Sequence, residues 1–267
     1  MTDDAIVIHD AVLRSAPPAE LEPGRFYAFH TPEGVHTVDL TGDDYKTAPS
    51  RKQGATTVTD AASWLAYWTK HHDDASDVYA DAQRLTVTAV LDAHTSDAAR
   101  WSGHWLRLQL RKTEAWEQWL QRDGQLLSQE MFAEHIEDHL PELLEPDPAT
   151  MLEIAQSMQA TTKAEFKSGT RLQSGERQLT YVEDTRASAG RKGELTIPAT
   201  FTVGVVPFEG SSGYKLGARL RYRIQDTTLR IGYKLDQPGD VLKSAFADVV
   251  KAIAEGIDVP VMNGTPA

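Results

Sequence analysis

Between residues 161 and 235 the chain consists mainly of segments rich in β-branched and aromatic residues, and these segments constrain the fold more than any other feature. They read EFKSGTRLQ, RQLTYVEDT, GELTIPATFTVGVVPF, YKLGARLRYRI and TTLRIGYKL, with Gly, Ser and Asp between them. Such segments, separated by turn formers, predict antiparallel strands joined by hairpins. A largely antiparallel sheet with long hairpins is therefore expected for this part of the chain.

Helical patterns lie on both sides of these strands. They predict helices beginning after Asp60, over residues 114–122, 128–140 and 149–160, and after Gly239. A hairpin is expected around residues 31–34, and strands over residues 85–91 and 101–110. The expected fold class is α+β, a largely antiparallel sheet packed against several helices.

The expected organisation is a single domain with an extension at each end. Residues 1–24 contain Pro17, Pro18, Pro23 and Gly24 and are interpreted as an N-terminal arm. Residues 25–255 are expected to form one α+β domain. Residues 256–267, GIDVPVMNGTPA, are expected to be an irregular C-terminal tail.

Composition and charge exclude several classes of function. The 267 residues contain no cysteine, which excludes disulfides, thiol catalysis and cysteine-ligated zinc. The formal charge of −12 opposes non-specific attraction to nucleic acid or to an anionic membrane. No apolar run reaches the roughly 18 residues of a membrane-spanning helix, and the acidic start MTDDAIVIHD differs from a secretion signal. We expect a cytoplasmic protein without a membrane partner or a cofactor.

The segment QEMFAEHIEDHLPE is close to an inverted zinc-protease motif. His135 and His139 are four residues apart in a helical pattern, and Asp138 lies close to both on a helical wheel, so the three could hold zinc. However, Asp138 does not replace the glutamate that the motif uses as general base, and no third ligand is marked. On the same wheel both histidines lie beside an apolar stripe, which predicts an ordinary surface helix instead.

Two segments of opposite charge are a broader signal. From residue 130 to residue 153 there are eight acidic residues and no Lys or Arg. In RLRYRI the period of two places Arg219, Arg221 and Arg223 on one face of a strand, where they could pair with carboxylates or contact phosphates, and Tyr222 or Tyr233 could then stack on bases. We favour carboxylate pairing. The residues predicted for contact are Lys215, Arg219, Arg221, Arg223 and Arg230 on the basic side, and Glu134, Glu137, Asp138 and Glu142 on the acidic side.

All six tryptophans lie between residues 64 and 119. They occur as three pairs, and the first and last pairs have helical spacing. A ligand-binding box of aromatic rings is one interpretation. A shared core where helices cover a sheet is the interpretation we favour.

A series of ordered segments carries a resemblance to a known family. The segments are WEQWL, SQEMFAEHIEDHL, DPATMLEIAQSMQATTKAEFKSGTRLQSGERQLTYVED, LTIPATFTVGVVPFEG, GARLRYRI and AFADVV, within residues 60–250. In this series the chain resembles the YfdQ-like proteins of unknown function that phages and prophages encode. The resemblance implies a phage-encoded protein in the cytoplasm of the bacterial host, in a family often found among early genes, and it brings no catalytic residues.

These observations lead to a ranked set of functions. The first is a noncatalytic phage protein that assembles with itself into a homo-oligomer or a closed shell around an unidentified cargo; in outline the chain is also similar to phage-capsid and encapsulin-like shell folds. The alternative is a nucleic-acid-binding accessory factor in phage DNA recombination or replication. A metal-dependent hydrolase using His135, Asp138 and His139 ranks last.

Overall fold

The computed structural model describes residues 20–31, 33–167, 180–189, 196–225 and 228–266. The helices of these ranges are α1 (Ala61–His71), α2 (Glu114–Gln121), α3 (Gln129–Asp138), α4 (Pro148–Ser157) and α5 (Pro238–Glu255). The strands are β1 (Phe26–Thr31), β2 (Gly34–Asp39), β3 (Gly54–Val58), β4 (Asp77–Asp81), β5 (Thr86–Val90), β6 (His104–Gln109), β7 (Leu126–Ser128), β8 (Leu143–Glu145), β9 (Gln159–Lys167), β10 (Thr180–Ser188), β11 (Thr200–Val205), β12 (Tyr214–Gln225), β13 (Thr228–Leu235) and β14 (Val261–Asn263). The predicted α+β class is confirmed.

The chain separates into two compact units, residues 1–54 and residues 55–267. In the first unit β1 and β2 form the hairpin that the sequence predicts, with Phe26 opposite Asp39 and Thr31 opposite Gly34. Gly34 has a φ of 132°, a conformation that favours glycine at this turn. Most of the predicted arm, residues 1–19, lies outside the described residues.

In the second unit, one five-stranded sheet has the order β14-β4-β5-β6-β3, and we call it the first sheet. Helices α1 and α5 contribute to the apolar cluster on one of its faces. Trp64 and Trp68 of α1 lie fully inside this cluster with their rings stacked, 5.5 Å between centroids. Asp60 caps α1 by accepting a hydrogen bond from the backbone N–H of Ser63, so the predicted helix start is confirmed.

Three parts of the first sheet differ from the expectations. Residues 54–58, which the sequence assigns to a polar loop, form β3, and β4 was not anticipated. The prediction of an irregular tail is wrong over β14, which pairs in parallel with β4, Val261 opposite Val78. Only three residues of the tail pair, too few for a sequence pattern to reveal.

The other five-stranded sheet, which we call the second sheet, has the order β7-β13-β12-β11-β8 with every pair antiparallel. Helices α2, α3 and α4 cover one face, and their buried side chains pack against strand residues such as Phe201, Ile231 and Tyr233. Each edge strand, β7 and β8, has three residues. Short edge strands offer little backbone for pairing with another chain.

The helix around residue 150 ends earlier than expected. Asp147 caps α4, with Pro148 at its first position, and the helix stops at Ser157 rather than near residue 160. The next strand begins at Gln159 and pairs with β10 over nine residues. The segment QATT contains two β-branched residues, which favour an extended backbone.

Four of the six tryptophans occupy the cores, as predicted. Trp64 and Trp68 lie under the first sheet, and Trp116 and Trp119 lie under the second. The prediction is wrong for the middle pair, since Trp101 is 77% exposed and Trp105 is half-buried. Trp105 belongs to the polar row of β6, so strand alternation turns it away from the core.

Candidate functional site

Of the two histidines of the near-zinc motif, His135 lies in helix α3 and His139 is the residue at which the helix ends. Ser128 caps the helix by accepting from the backbone N–H of Met131, and Phe132 and Ile136 pack into the core of the second sheet. The prediction that the histidines lie on the helix surface is wrong, because His135 is 6% exposed and His139 is 4% exposed. The indole of Trp119 covers both, with ring centroids at 4.8 Å and 5.2 Å.

Each histidine has a hydrogen-bond partner inside the protein. The Tyr233 hydroxyl donates to the backbone oxygen of Trp119 at 2.8 Å. Its proton is thus engaged, so Nε2 of His135, 3.1 Å from the same hydroxyl, acts as the donor to Tyr233. Nδ1 of His139 lies 2.8 Å from the backbone oxygen of His135 and donates to it, which satisfies a carbonyl at the helix end.

These contacts hold His135 in its neutral form. Burial lowers the pKa of His135 from 6.5 to about 4, and the nearby His139 and Arg122 act in the same direction. Burial also raises the pKa of Tyr233, with the Asp123 carboxylate adding to the effect. His135 and Tyr233 are therefore both neutral at pH 7 and form a hydrogen-bonded part of the core.

A polar cavity of about 210 Å³ lies beside the histidines, lined by residues of α2 and α3 and by His139 and Arg122. Asp138 lines it together with both histidines. In the described part of the chain, however, no three side chains of the His, Asp and Glu types come together so that they could hold a metal ion. Nε2 of His135 is already hydrogen-bonded to the Tyr233 hydroxyl, and Nδ1 of His139 is already hydrogen-bonded to the backbone oxygen of His135.

The predicted row of basic residues lies on the face of the second sheet that is opposite the helices. Arg219, Arg221 and Arg223 are exposed and alternate with residues that point toward the helix side, as the period of two predicts. In the register Arg221 faces Gly232, and Arg223 faces Arg230 directly. We call this surface the basic face: Lys215, Arg219, Arg221, Arg223 and Arg230.

Carboxylate pairing, the favoured prediction, holds for one residue of the basic face. Arg219 contacts Asp236 at 2.9 Å. Next to the face, Lys234 pairs with Asp123, which also accepts from the backbone N–H of Leu235. Among the described residues no carboxylate pairs with the remaining four cations of the face.

The arginine-against-arginine pair is electrostatically unfavourable. Like charges that face each other across two strands destabilise the sheet unless an anion lies between them. Arg223 and Arg230 form such a pair, with Arg221 two residues away on the same face. This end of the basic face is therefore suited to bind a group of negative charges.

The acidic residues lie on the outer side of α3. Glu130, Glu134, Glu137 and Asp138 are exposed and follow one side of the helix, and we call these four residues the acidic face. Glu142, also predicted for this role, is half-buried, and its Oε2 atom is enclosed without a hydrogen-bond partner among the described residues. Since α3 packs on the inner face of the second sheet, the acidic face and the basic face point in opposite directions.

The tyrosines predicted to stack on bases do not support that role. Tyr233 is buried in the core, so that prediction is wrong. Tyr222 is 48% exposed but belongs to the strand face opposite the arginines. The sequence also did not indicate the pairing of His135 with Tyr233, since 98 residues separate them.

Comparison with known proteins identifies a family for this chain. The family described as "Uncharacterized conserved protein (DUF2303)" matches residues 4–266. No curated protein and no solved structure matches the chain. None of the helices in the described ranges has the length and apolar content needed to cross a membrane.

Proposed function

The chain belongs to the family of uncharacterized conserved proteins DUF2303, and from its two charged faces we propose that it is a noncatalytic protein that associates with itself. In this association the acidic face of one copy contacts the basic face of the next. We call a sheet together with the helices that cover it a layer pair. The observation that carries the proposal is that the acidic face and the basic face lie on opposite sides of the layer pair formed by the second sheet.

Charge and exposure both support this contact. The acidic face contributes four exposed carboxylates with no ion pair to a described residue, and the basic face contributes four cations in the same condition. Among the described residues, Arg122 is a cation near the acidic face, because it lines the polar cavity together with Glu134 and Asp138. A carboxylate placed between Arg223 and Arg230 would remove their mutual repulsion.

Contact between the acidic face of one copy and the basic face of the next would be a head-to-tail association. Two different surfaces on one chain form a heterologous interface, which makes a closed ring or shell if the rotation between copies closes and a filament if it does not. The short edge strands of the second sheet do not favour assembly by strand pairing, so the charged faces carry the proposal. A closed shell with an unidentified cargo is the finer form of the proposal.

The resemblance to YfdQ-like proteins completes the proposal. It supports a phage- or prophage-encoded protein that acts in the cytoplasm of the bacterial host. Electron microscopy of purified particles would distinguish a shell from a ring or a filament. A uniform population of single chains would contradict all three.

The central test measures particle mass by light scattering coupled to size-exclusion chromatography. At about 50 mM salt the protein should exceed its 29.5 kDa chain mass several-fold, and at about 500 mM salt it should dissociate, because screening weakens contacts between exposed charges. R221E/R223E and E134K/E137K should each elute as single chains at low salt. A K243E/K251E variant, which reverses two cations of α5, is the matched control and should assemble like the parent.

Mixing the two charge-reversed variants sharpens the test. Each retains one intact face, and the two reversed faces are complementary to each other, so an equimolar mixture should form assemblies larger than a dimer in which the two variants alternate. A variant with all four substitutions should assemble again, since its reversed faces remain complementary. A parent protein that stays monomeric at low salt would exclude the proposal.

Nucleic-acid binding is the second candidate, and the facing pair Arg223 and Arg230 is the observation that favours it. Phosphates could lie between these guanidinium groups as well as carboxylates could. Labelled single- and double-stranded oligonucleotides should then bind in a salt-dependent manner, and R221A/R223A should weaken the binding. E134K/E137K separates the two functions, because it should abolish self-association and leave oligonucleotide binding intact.

A further inference from the structure

The outer face of the first sheet forms one wall of a cavity of about 640 Å³. This volume lies within the range of about 300 to 1,000 Å³ that is usual for small-ligand sites. The residues that surround it come from the polar rows of β5 and β6, from the turn before β5, from β3 and from the segment after β14. Its polar lining includes Arg84, Thr86, Thr88, Arg107, Gln109 and Lys112.

Strand register explains how its polar groups converge. Thr86 lies opposite Gln109, and Thr88 lies opposite Arg107, so four hydrogen-bonding side chains share one patch of the sheet. Lys112 is held beside them by an antiparallel backbone β-bridge to Phe208. The register places Thr86, Thr88, Arg107 and Gln109 on strands rather than on loops, which gives this part of the site a fixed geometry.

The charge of the lining is positive in a chain whose net charge is −12. Arg84, Arg107 and Lys112 line the cavity, and none of its described lining residues is Asp or Glu. Nε of Arg84 lies 3.8 Å from a carboxylate oxygen of Asp81, which is long for an ion pair, and the Arg84 side chain is 73% exposed. The other oxygen of Asp81 accepts from the backbone N–H groups of Gln83 and Arg84, which holds the turn between β4 and β5. Three cations, with no Asp or Glu among the described lining residues, favour an anionic ligand.

An aromatic ring lies next to these cations. The indole N–H of Trp105 donates to the backbone oxygen of Ser102 at 2.6 Å, and this bond fixes the ring. The guanidinium carbon of Arg107 lies 5.2 Å from the ring centroid. A guanidinium stacked in this way keeps its N–H groups available for a phosphate, and the adjacent indole offers a flat apolar surface.

We propose that this cavity binds a small phosphate-bearing ligand of the nucleotide class. Arg84, Arg107 and Lys112 contact the phosphate oxygens. Gln109 and the threonine hydroxyls donate further hydrogen bonds, and Trp105 contacts the base. The site lies on the first sheet and is independent of the charged faces of the second sheet.

Isothermal titration of the full chain with adenosine triphosphate tests the proposal. The parent should bind, R107A/K112A should bind at least about tenfold more weakly, since two charge-assisted contacts are lost, and R221A/R223A should bind like the parent. Both altered residues of R107A/K112A are exposed, and circular dichroism checks that this variant is folded. Light scattering of R107A/K112A should match the parent, which separates this site from self-association.

Inorganic triphosphate and an oligonucleotide distinguish the ligand class. Inorganic triphosphate should bind more weakly than the nucleotide, and W105A should reduce the affinity for the nucleotide toward that of inorganic triphosphate, whereas W105F should retain most of it. Equal affinities for the two triphosphates would overturn the nucleoside part of the proposal. An absence of nucleotide binding, equal binding by R107A/K112A, or binding of a long single strand alone would overturn the site.

Discussion

The first sheet and the second sheet have similar inner faces and different outer faces. In each, helices cover one side, and a helix contributes two buried tryptophans, Trp64 and Trp68 in one core and Trp116 and Trp119 in the other. On the open side, the first sheet borders a concave cavity with three cations. The second sheet has an open row of arginines there. Burial of apolar surface leads to the same solution twice, whereas the open sides are free to differ in chemistry.

Each layer pair also contains a tyrosine hydroxyl bonded to a histidine. Tyr67 lies 3.1 Å from Nε2 of His104, and Tyr233 lies 3.1 Å from Nε2 of His135. Tyr67 is half-buried and its hydroxyl also accepts from Thr56, whereas Tyr233 is 1% exposed. The difference lies in access to water, which decides what the loss of one partner costs.

The largest expected effect comes from removing a core tryptophan from either layer pair. Trp64→Ala and Trp119→Ala should each lower the free energy of unfolding by about 3 to 5 kcal/mol, because each leaves a large cavity in a packed core. Urea titration followed by circular dichroism measures both. A single shared transition in both variants would show that the two cores unfold together, and two separate transitions would show that they do not.

The next effect is a pH dependence that belongs to the second sheet. Because the pKa of His135 falls from 6.5 to about 4 on folding, the unfolded chain binds one more proton between these values, and stability should fall as the pH decreases from 6.5 to 4. The loss is at most about 3 kcal/mol. His135→Gln should remove this component, and His36→Gln, which replaces an exposed histidine of the hairpin, should keep it. Urea unfolding at several pH values gives the slope.

Removing one hydroxyl from each sheet should give a smaller and unequal effect. Tyr233→Phe should cost about 1 to 3 kcal/mol, because the Trp119 carbonyl and the His135 ring lose their partner away from water. Tyr67→Phe should cost less, because water can reach the half-buried site. Thermal unfolding measures both costs. Equal costs would contradict the inference that water reaches the pair Tyr67 and His104 but not the pair Tyr233 and His135.

The smallest expected effects concern exposed ion pairs. Arg100 contacts Asp73 at 2.6 Å near the first sheet, and Arg219 contacts Asp236 at 2.9 Å on the second. Arg100→Ala and Arg219→Ala should each cost less than about 1 kcal/mol, since exposed pairs contribute little. The Arg100 guanidinium lowers the pKa of Asp73 by hydrogen bonding, so its contribution should shrink further in acid. A cost above about 2 kcal/mol for either would indicate a larger network.

Local patterns predicted much of the fold and the direction of its charged rows. The period of two predicted that Arg219, Arg221 and Arg223 share a face, and their common exposure confirms it. The capping residue Asp60 located the start of α1, because a cap depends on neighbours three residues away. The α+β class followed from strands and helices that the composition of each segment already favours.

Long-range relations were not predictable in the same way. The helical wheel placed His135 and His139 beside an apolar stripe, but it could not reveal that Trp119 would cover them. Local sequence patterns also did not predict that β14 pairs with β4. Nor did they predict that Arg84 and Lys112 line the same cavity. Each of these depends on segments that are far apart in the chain.

By itself, the amino-acid sequence determined which residues alternate along each strand, where most helices begin and how charge divides between two segments. Only the tertiary structure decided which side of each row meets a partner. It buried two histidines expected at the surface, placed the acidic and basic faces on opposite sides of one layer pair, and surrounded a cavity with three cations. The physical reason is that periodicity and capping act over a few residues, whereas burial and charge pairing depend on the packing of distant segments.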